Sequence, residues 1–329
     1  MRIQHAITLI TLASTLITGC NNPGTQSTSI TIDGSSTVFP ITEAIAEEFQ
    51  KQNPTIRVSV GTSGTGGGFK KFAHREIHIA DASRPIKPEE ATEAAKNGIE
   101  FIEIPIAYDG ISIVVNPRNT WATYLTTQEL KQIWQPASTI NNWKQIRNTF
   151  PDKPLKLYGA GTDSGTFDYF TEAIVGKARA SRPDYTASED DNTLVQGVAG
   201  DEGALGYFGY AYYEANKDKV KLLAIDNGKG PVLPSPQTIN DGSYQPLSRP
   251  VFLYIRKDAA ELPHVQQFIR FYLTQGPELI KSVGYIPLPP RAYQLALQRF
   301  QQRKTGSLFA RENTIGIKIE ELMAKEAAN

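Results

Sequence analysis

The stretch Ser63-Gly64-Thr65-Gly66-Gly67-Gly68 constrains this chain more than any other. It follows Ile56-Arg57-Val58-Ser59-Val60, whose apolar and polar residues alternate as in a half-buried strand. Phe69 and Phe72 come next, spaced as on one face of a helix. A turn of glycines and hydroxyls between a strand and a helix presents free backbone N–H groups at the positive end of the helix dipole. That is a place for an anion. A shorter echo, Ser164-Gly165-Thr166, stands between the strand-like Leu155-Lys156-Leu157-Tyr158 and a helical face of Phe167, Phe170 and Ile174. Two such turns imply two halves of one molecule closing on one anion.

The same alternation organises the rest of the chain. Residues 30–32, 77–80, 101–104, 111–115, 203–208, 221–225 and 251–255 read as strands. Between them, Ile41, Ile45 and Phe49 mark a helix face. Pro88 opens a second helix, and Thr126 with Glu129 has capping-box spacing before Leu130 and Ile133. Asp190, Asp191 and Asn192 stand as N-cap residues before a helical run over 193–199. Pro263 opens a helix whose apolar face is Val265, Phe268, Ile269 and Tyr272; Gly276 is expected to close it. Residues 228–244 read as a surface excursion, and the tail from Arg291 as polar helices. Strands alternating with helices predict an α/β protein with largely parallel sheets. Ligands of open α/β sheets bind beyond the carboxyl ends of the strands, and the loops at 34–37, 63–68, 81–84 and 161–166 all stand there.

Charge and composition exclude several function classes. Lys+Arg and Asp+Glu each number 34, so no basic footprint points to nucleic acid. Anion chemistry must then come from local geometry rather than a global field. Cys20 is the single cysteine, so no intramolecular disulfide can form. Arg2 and His5 precede an apolar run over 6–18, too short for a bilayer, that ends Leu16-Ile17-Thr18-Gly19-Cys20. This leader resembles a bacterial lipobox, which implies a signal peptide over 1–20, lipidation of Cys20 and a flexible tether over 21–29. An ordinary signal peptide with an incidental cysteine is the alternative.

Rival chemistries fit less well. The glycine-rich turn lacks the Gly-Lys-Ser/Thr ending of a nucleotide P-loop, and Phe69 fills the last glycine position of a dinucleotide fingerprint. Gly161-Thr162-Asp163-Ser164-Gly165 is not the Gly-x-Ser-x-Gly of a nucleophile elbow. Beyond the leader only His74, His78 and His264 remain as bases. His74 and His78 have metal-ligand spacing only if helical, and the pattern around His78 is a strand, so no metal is expected. Asp81-Ala82-Ser83-Arg84-Pro85 adds what a backbone cradle lacks, a permanent cation beside a hydroxyl.

Taken together, Asp33-Gly34-Ser35-Ser36-Thr37-Val38-Phe39-Pro40, the turn Ser63–Gly68 with Phe69, Ala82-Ser83-Arg84-Pro85 and Ser164-Gly165-Thr166-Phe167 resemble the PstS family, the substrate-binding proteins of the phosphate ABC transporter. The lipid-anchored cyanobacterial-type members are the nearest in pattern. Gly203-Ala204-Leu205-Gly206-Tyr207-Phe208 and Gly284-Tyr285-Ile286-Pro287-Leu288 resemble family segments too, so the likeness runs from about residue 30 to 290.

The resemblance implies a two-lobed periplasmic binding protein fold of type II-like form, each lobe a mixed sheet flanked by helices. Residues 30–114 plus 250–329 would form lobe 1 and 115–249 lobe 2, with the ligand in the cleft. It implies inorganic phosphate held by Ser36, Thr37, Val38 (through its N–H), Ser63, Ser83, Arg84, Ser164, Gly165 and Thr166. Family members carry an arginine shortly before the second Ser-Gly-Thr, where this chain has Ala160, and an aspartate where it has Ser83. Arg84 is therefore the expected counter-charge, and Asp81, Asp163 and Asp191 are the candidate acceptors of the phosphate proton. The expected protein is a periplasmic monomer without cofactor, tethered to a membrane, that delivers phosphate to ABC permease subunits and catalyses nothing. A general oxyanion receptor of the sulfate type, a secreted phosphate-ester hydrolase and a sensor or scavenger are the alternatives.

Overall fold

The computed structural model describes residues 28–309 and Met323; the leader and Cys20 lie outside them. The first part of the chain is a repeated strand–helix unit: β1 (Thr28–Gly34), α1 (Phe39–Gln52), β2 (Ile56–Thr62), α2 (Gly64–Ala73), β3 (Ile79–Ala82) and α3 (Pro88–Lys96). β4 (Phe101–Val115) then crosses to a second group of elements: β5 (Tyr124–Thr126), α4 (Thr127–Trp134), β6 (Lys156–Ala160) and α5 (Gly165–Phe170). There follow β7 (Thr186–Ser188), α6 (Asp191–Gly200), β8 (Ala204–Gly209), α7 (Tyr210–Glu214), β9 (Lys221–Leu222), β10 (Ala224–Asp226), β11 (Pro231–Val232) and α8 (Pro236–Asn240). β12 (Ser248–Arg256) returns to the first group, which α9 (Pro263–Thr274), α10 (Gly276–Ser282), β13 (Ile286–Pro287) and α11 (Pro290–Gln301) complete.

The strands form one path, β2-β1-β3-β12-β4-β8-β6-β7, with β9 and β13 also on β4; β11, β10 and β5 form a small separate sheet. Pairing is parallel within β2-β1-β3 and within β8-β6-β7, and antiparallel where β12 and β4 join the two ends. The sheet is thus mixed. Parallel strands need helical crossovers, which the alternating units supply, whereas β4 and β12 are the segments that pass between the halves.

Two hydrophobic cores lie on either side of that crossing. One gathers Ile30 to Ala107 with Val251 onward; the other gathers Ile111 to Leu247 with Ile286, apart from a smaller third cluster of Val114, Leu194, Val195, Val198, Ala204, Phe208 and Val220. In the first, Phe49 of α1 meets Phe268 and Phe271 of α9 edge-on at 5.2 and 5.5 Å. In the second, Phe170 stacks on Tyr207 of β8 at 3.9 Å while Trp134 meets both edge-on. That stack fixes α5 against the sheet, and Phe170→Ala would cost about 3–5 kcal/mol from the cavity it leaves.

Several expectations hold at the level of single residues. Thr126 and Glu129 form the capping box, with Glu129 N donating to Thr126 Oγ1 at 3.1 Å and Thr126 N to Glu129 Oε2 at 2.7 Å. Val265, Phe268, Ile269 and Tyr272 are the buried face of α9. Other expectations are corrected. Residues 101–104 and 111–115 are one fifteen-residue strand rather than two, because β12 pairs with its first part and β8 with its second. Residues 221–225 split into β9 and β10, which lie in different sheets. Gly276 opens α10 as well as following α9. α11 is not polar all round, since it buries Tyr293, Leu295 and Phe300.

Candidate functional site

Four strand ends supply the site. β1 leads into Ser35-Ser36-Thr37-Val38, a tight turn in which the N–H groups of Val38 and Phe39 both donate to the Ser35 carbonyl, at 3.1 and 3.0 Å. Ser35 N in turn donates to the Asp81 carbonyl at 3.0 Å, which ties this loop to the end of β3. β2 leads into α2 through Ser63, β3 into Ser83, and β6 into α5 through Ser164. The Ser164 side chain caps α5 by accepting from Thr166 N at 3.1 Å.

These loops meet across the two cores. Thr37 Oγ1 and Thr166 Oγ1 are 3.1 Å apart, and Thr65 Oγ1 and Ser83 Oγ are 3.2 Å apart. Gly165 fits between: a Cβ there would lie 2.5 Å from Ser83 Oγ and 2.6 Å from Thr65 Oγ1. Absence of a side chain at Gly165 is what lets the start of α5 enter the hydroxyl cluster. Tyr212 Oη donates to the Ser36 carbonyl at 2.9 Å, and Gly66 N donates to the Asp163 carbonyl at 2.9 Å, so the halves are in direct contact.

Arg249, at the start of β12, enters the same cluster with a side chain shut off from solvent. Its Nη2 lies 2.8 Å from Thr166 Oγ1, 3.3 Å from Thr37 Oγ1 and 3.0 Å from Asp109 Oδ2; Nε also donates to Asp109, at 3.2 Å, and Nη1 to the Gly165 carbonyl, at 3.2 Å. Asp109 is on β4 and comparably buried. The pair therefore sits where the two crossing strands run side by side. An isolated buried charge costs several kcal/mol, so the cation and carboxylate require one another.

The expected site residues fall into groups. Thr37, Ser83, Gly165 and Thr166 are brought together in the cluster, with Ser164 as the cap beside it. Ser36 is buried, and its carbonyl accepts from Tyr212. Val38 packs its side chain into the first core, and its N–H is engaged within the turn. Ser63 turns its hydroxyl to Asp33 at 2.5 Å, where Lys71 also binds at 2.6 Å. Arg84 is placed in a different network: Nε donates to Asp168 at 2.6 Å and both Nη atoms to Glu90, at 2.8 and 2.7 Å. Burial works against its charge, but Glu90 and Asp168 outweigh it and hold its pKa above the ordinary value. Lys87 meets the same Asp168 at 2.8 Å.

The three candidate proton acceptors also separate. Asp163 has a side chain 42% exposed, 3.4 Å from Lys70. Asp81 is fully buried near Thr42 and Tyr272, and desolvation pushes its carboxyl up to about 8. Asp191 opens α6, accepts from Gly209 N at 3.2 Å and lies in the field of Asp109 and Arg249. Burial pushes Asp191 up to about 7 against the pull of the Gly209 N–H. Of the three, it is the buried carboxyl next to the Arg249–Asp109 pair. Thr65, Asp109 and Arg249 were not among the expected residues.

Among the described residues no group of three or more His, Cys, Asp or Glu is placed to hold a metal ion, and no helix is long and apolar enough to cross a membrane. His78 Nδ1 accepts from Thr31 N at 3.0 Å, a structural role.

A family model described as a PBP superfamily domain matches residues 21–275. The chain is 51% identical over 307 residues to the protein SphX of Synechococcus elongatus, covering 92% of this chain and 90% of that one. It is 38% identical over 288 residues to the phosphate-binding protein PstS of Staphylococcus saprophyticus, covering 85% and 88%. Among solved structures it is similar to a phosphate ABC transporter substrate-binding protein with bound phosphate from Clostridium perfringens. The TM-score there is 0.68 at 27% identity, covering 79% of this chain and 100% of that one. The chain belongs to the PBP superfamily and, within it, to the PstS family of phosphate-binding proteins.

Proposed function

We propose that this protein is an extracytoplasmic receptor that binds inorganic phosphate between its two lobes and delivers it to an ABC importer. The observation that carries this reading is the meeting of the Thr37 and Thr166 hydroxyls from opposite halves, beside the Thr65–Ser83 pair of the first half that packs against the side-chain-free Gly165 of the second. A buried oxyanion loses its hydration and needs a donor for every oxygen. Hydroxyls, backbone N–H groups at the starts of α2 and α5 and one guanidinium supply those donors without a large excess of positive charge. Ser36, Thr37, Ser83, Ser164, Gly165 and Thr166 form the cage, Val38 and Ser63 shape its loops, and closure completes it.

Asp191 is the proposed acceptor of the phosphate proton. Its burial beside Arg249 supports this, because a carboxylate there favours a protonated ligand and repels sulfate, which has no proton to donate at neutral pH. Residues 30–114 plus 250–329 and 115–249 would be the two lobes of a monomer, tethered through lipidated Cys20. Equilibrium dialysis against labelled phosphate tests the receptor reading. One phosphate per chain is expected; no retention overturns it. A receptor also leaves a chromogenic phosphate ester intact, whereas turnover that disappears in Ser164→Ala would favour the hydrolase.

A further inference from the structure

Two buried arginines reach the contact between the lobes, and their surroundings differ. Arg84 meets two carboxylates, Glu90 through both Nη atoms and Asp168 through Nε, and gives a further Nη1 bond to the Pro85 carbonyl at 3.0 Å. Asp168 is shared with Lys87 at 2.8 Å and Arg179 at 3.7 Å, but four of the five Arg84 N–H groups are already given to protein oxygens. Arg249 meets one carboxylate, Asp109, and otherwise faces the Thr37 and Thr166 hydroxyls and the Gly165 carbonyl.

The guanidinium of Arg249 is also over-subscribed in a particular way. Its Nη2 carries two hydrogens but stands within 3.3 Å of three oxygens, those of Asp109, Thr37 and Thr166. The two hydroxyls need no hydrogen from it, since each can donate instead. An anion entering this cluster would take the Nη2 hydrogen now shared with a threonine and accept the hydroxyl hydrogens as well. Asp109, bound through both Nε and Nη2, would keep the fork aimed at the ligand. A pair serving stability alone is commonly replaceable by apolar side chains and has no need of hydroxyls from both lobes.

Resting on the phosphate reading, we propose that Arg249 is the cation that touches the ligand, with Asp109 as its positioning residue. Arg84, with Asp168 and Lys87, closes the lobes without touching the ligand. The counter-charge so enters from the crossing strand β12 rather than from the loop after β3. A charged donor pointing at a buried oxyanion contributes through strong, short hydrogen bonds that an ammonium can replace only in part.

Calorimetric phosphate titration of the wild-type protein and of Arg249→Gln, Arg249→Lys and Arg84→Gln tests this, with circular dichroism as a check on folding. Arg249→Gln is expected to weaken binding by about 100-fold or more, with Arg249→Lys recovering part of it and Arg84→Gln losing about tenfold. Arg249→Gln within threefold of the wild type, beside a far larger loss in Arg84→Gln, overturns the assignment. If Arg249→Gln does not fold, a crystal structure of the wild-type protein with phosphate decides. Arg249 Nη within hydrogen-bond distance of a phosphate oxygen is expected, and Arg84 there in its place overturns it. A wild-type protein that binds no phosphate sinks the receptor reading itself, a separate outcome.

Discussion

Thr37, in the turn before α1, and Thr166, in the first turn of α5, hold their Oγ1 atoms 3.1 Å apart across 129 residues of chain. Each is fixed independently. The Thr37 carbonyl accepts from Tyr285 Oη, and Thr166 N donates to the capping Ser164. Two hydroxyls held this way can turn their hydrogens onto one anion with little further loss of freedom, which is what a high-affinity cage requires.

Removing one of them isolates that effect. Thr166→Val keeps shape and volume but leaves one ligand oxygen short of a donor, so phosphate affinity should fall about 10- to 100-fold while the melting temperature stays close to wild type. Thr166→Ser should recover most of the loss. Equal affinity of the valine variant in calorimetry would place the ligand elsewhere.

Gly165 offers a steric test of closure. A methyl group there would press on Ser83 and Thr65, so the lobes of Gly165→Ala should meet imperfectly. Overpacking of this kind costs about 1–3 kcal/mol, which predicts binding about 10- to 100-fold weaker. Small-angle scattering in saturating phosphate should show a larger radius of gyration than wild type; an identical radius and affinity would contradict the closed cage.

Asp168 is the carboxylate that joins the halves through Arg84 at 2.6 Å and Lys87 at 2.8 Å. Asp168→Asn should shift the ligand-free protein toward an open form and weaken phosphate binding about tenfold, since closure then draws on ligand contacts alone. The same variant should lose sulfate discrimination little, because the latch does not select the ligand. A variant as tight as wild type would show the latch to be ornamental.

Asp81 predicts a pH dependence of stability that has nothing to do with binding. Its folded pKa, about 8, lies above its ordinary 3.8. A raised pKa means stability present at low pH and lost as pH climbs through the folded value. The slope from this one group approaches about 1.4 kcal/mol per pH unit between those limits. Asp81→Asn should flatten the profile and be more stable than wild type above pH 8. Parallel profiles would show that the carboxyl is not buried as described.

Much of this site could be read from the sequence because its loops carry glycine and hydroxyl residues at strand ends, where backbone geometry alone makes an anion cradle. Gly64 to Gly68, Ser83 and Ser164 to Thr166 announced themselves this way. Arg249 did not. It stands in Ser248-Arg249-Pro250 ahead of an apolar run and looks like an edge-of-strand charge, yet all nine residues of β12 are buried. An arginine inside a fully buried strand must have a partner, and that was the signal available. Its partner Asp109 was hidden for a related reason: Asp109-Gly110 interrupts the apolar pattern of 101–115 and so divides one strand into two. The partners of Arg84 were hidden too, because a cation next to a loop serine gives no hint of Glu90 and Asp168, whose closeness depends on how α3 and α5 pack.

Selective binding of phosphate is the central claim, and calorimetric titration with phosphate and then sulfate at pH 7.5 tests it most directly. Phosphate should bind one per chain with micromolar or tighter affinity, and sulfate in large excess should not displace it. Equal affinity for the two anions would contradict a phosphate receptor and leave a general oxyanion receptor in its place.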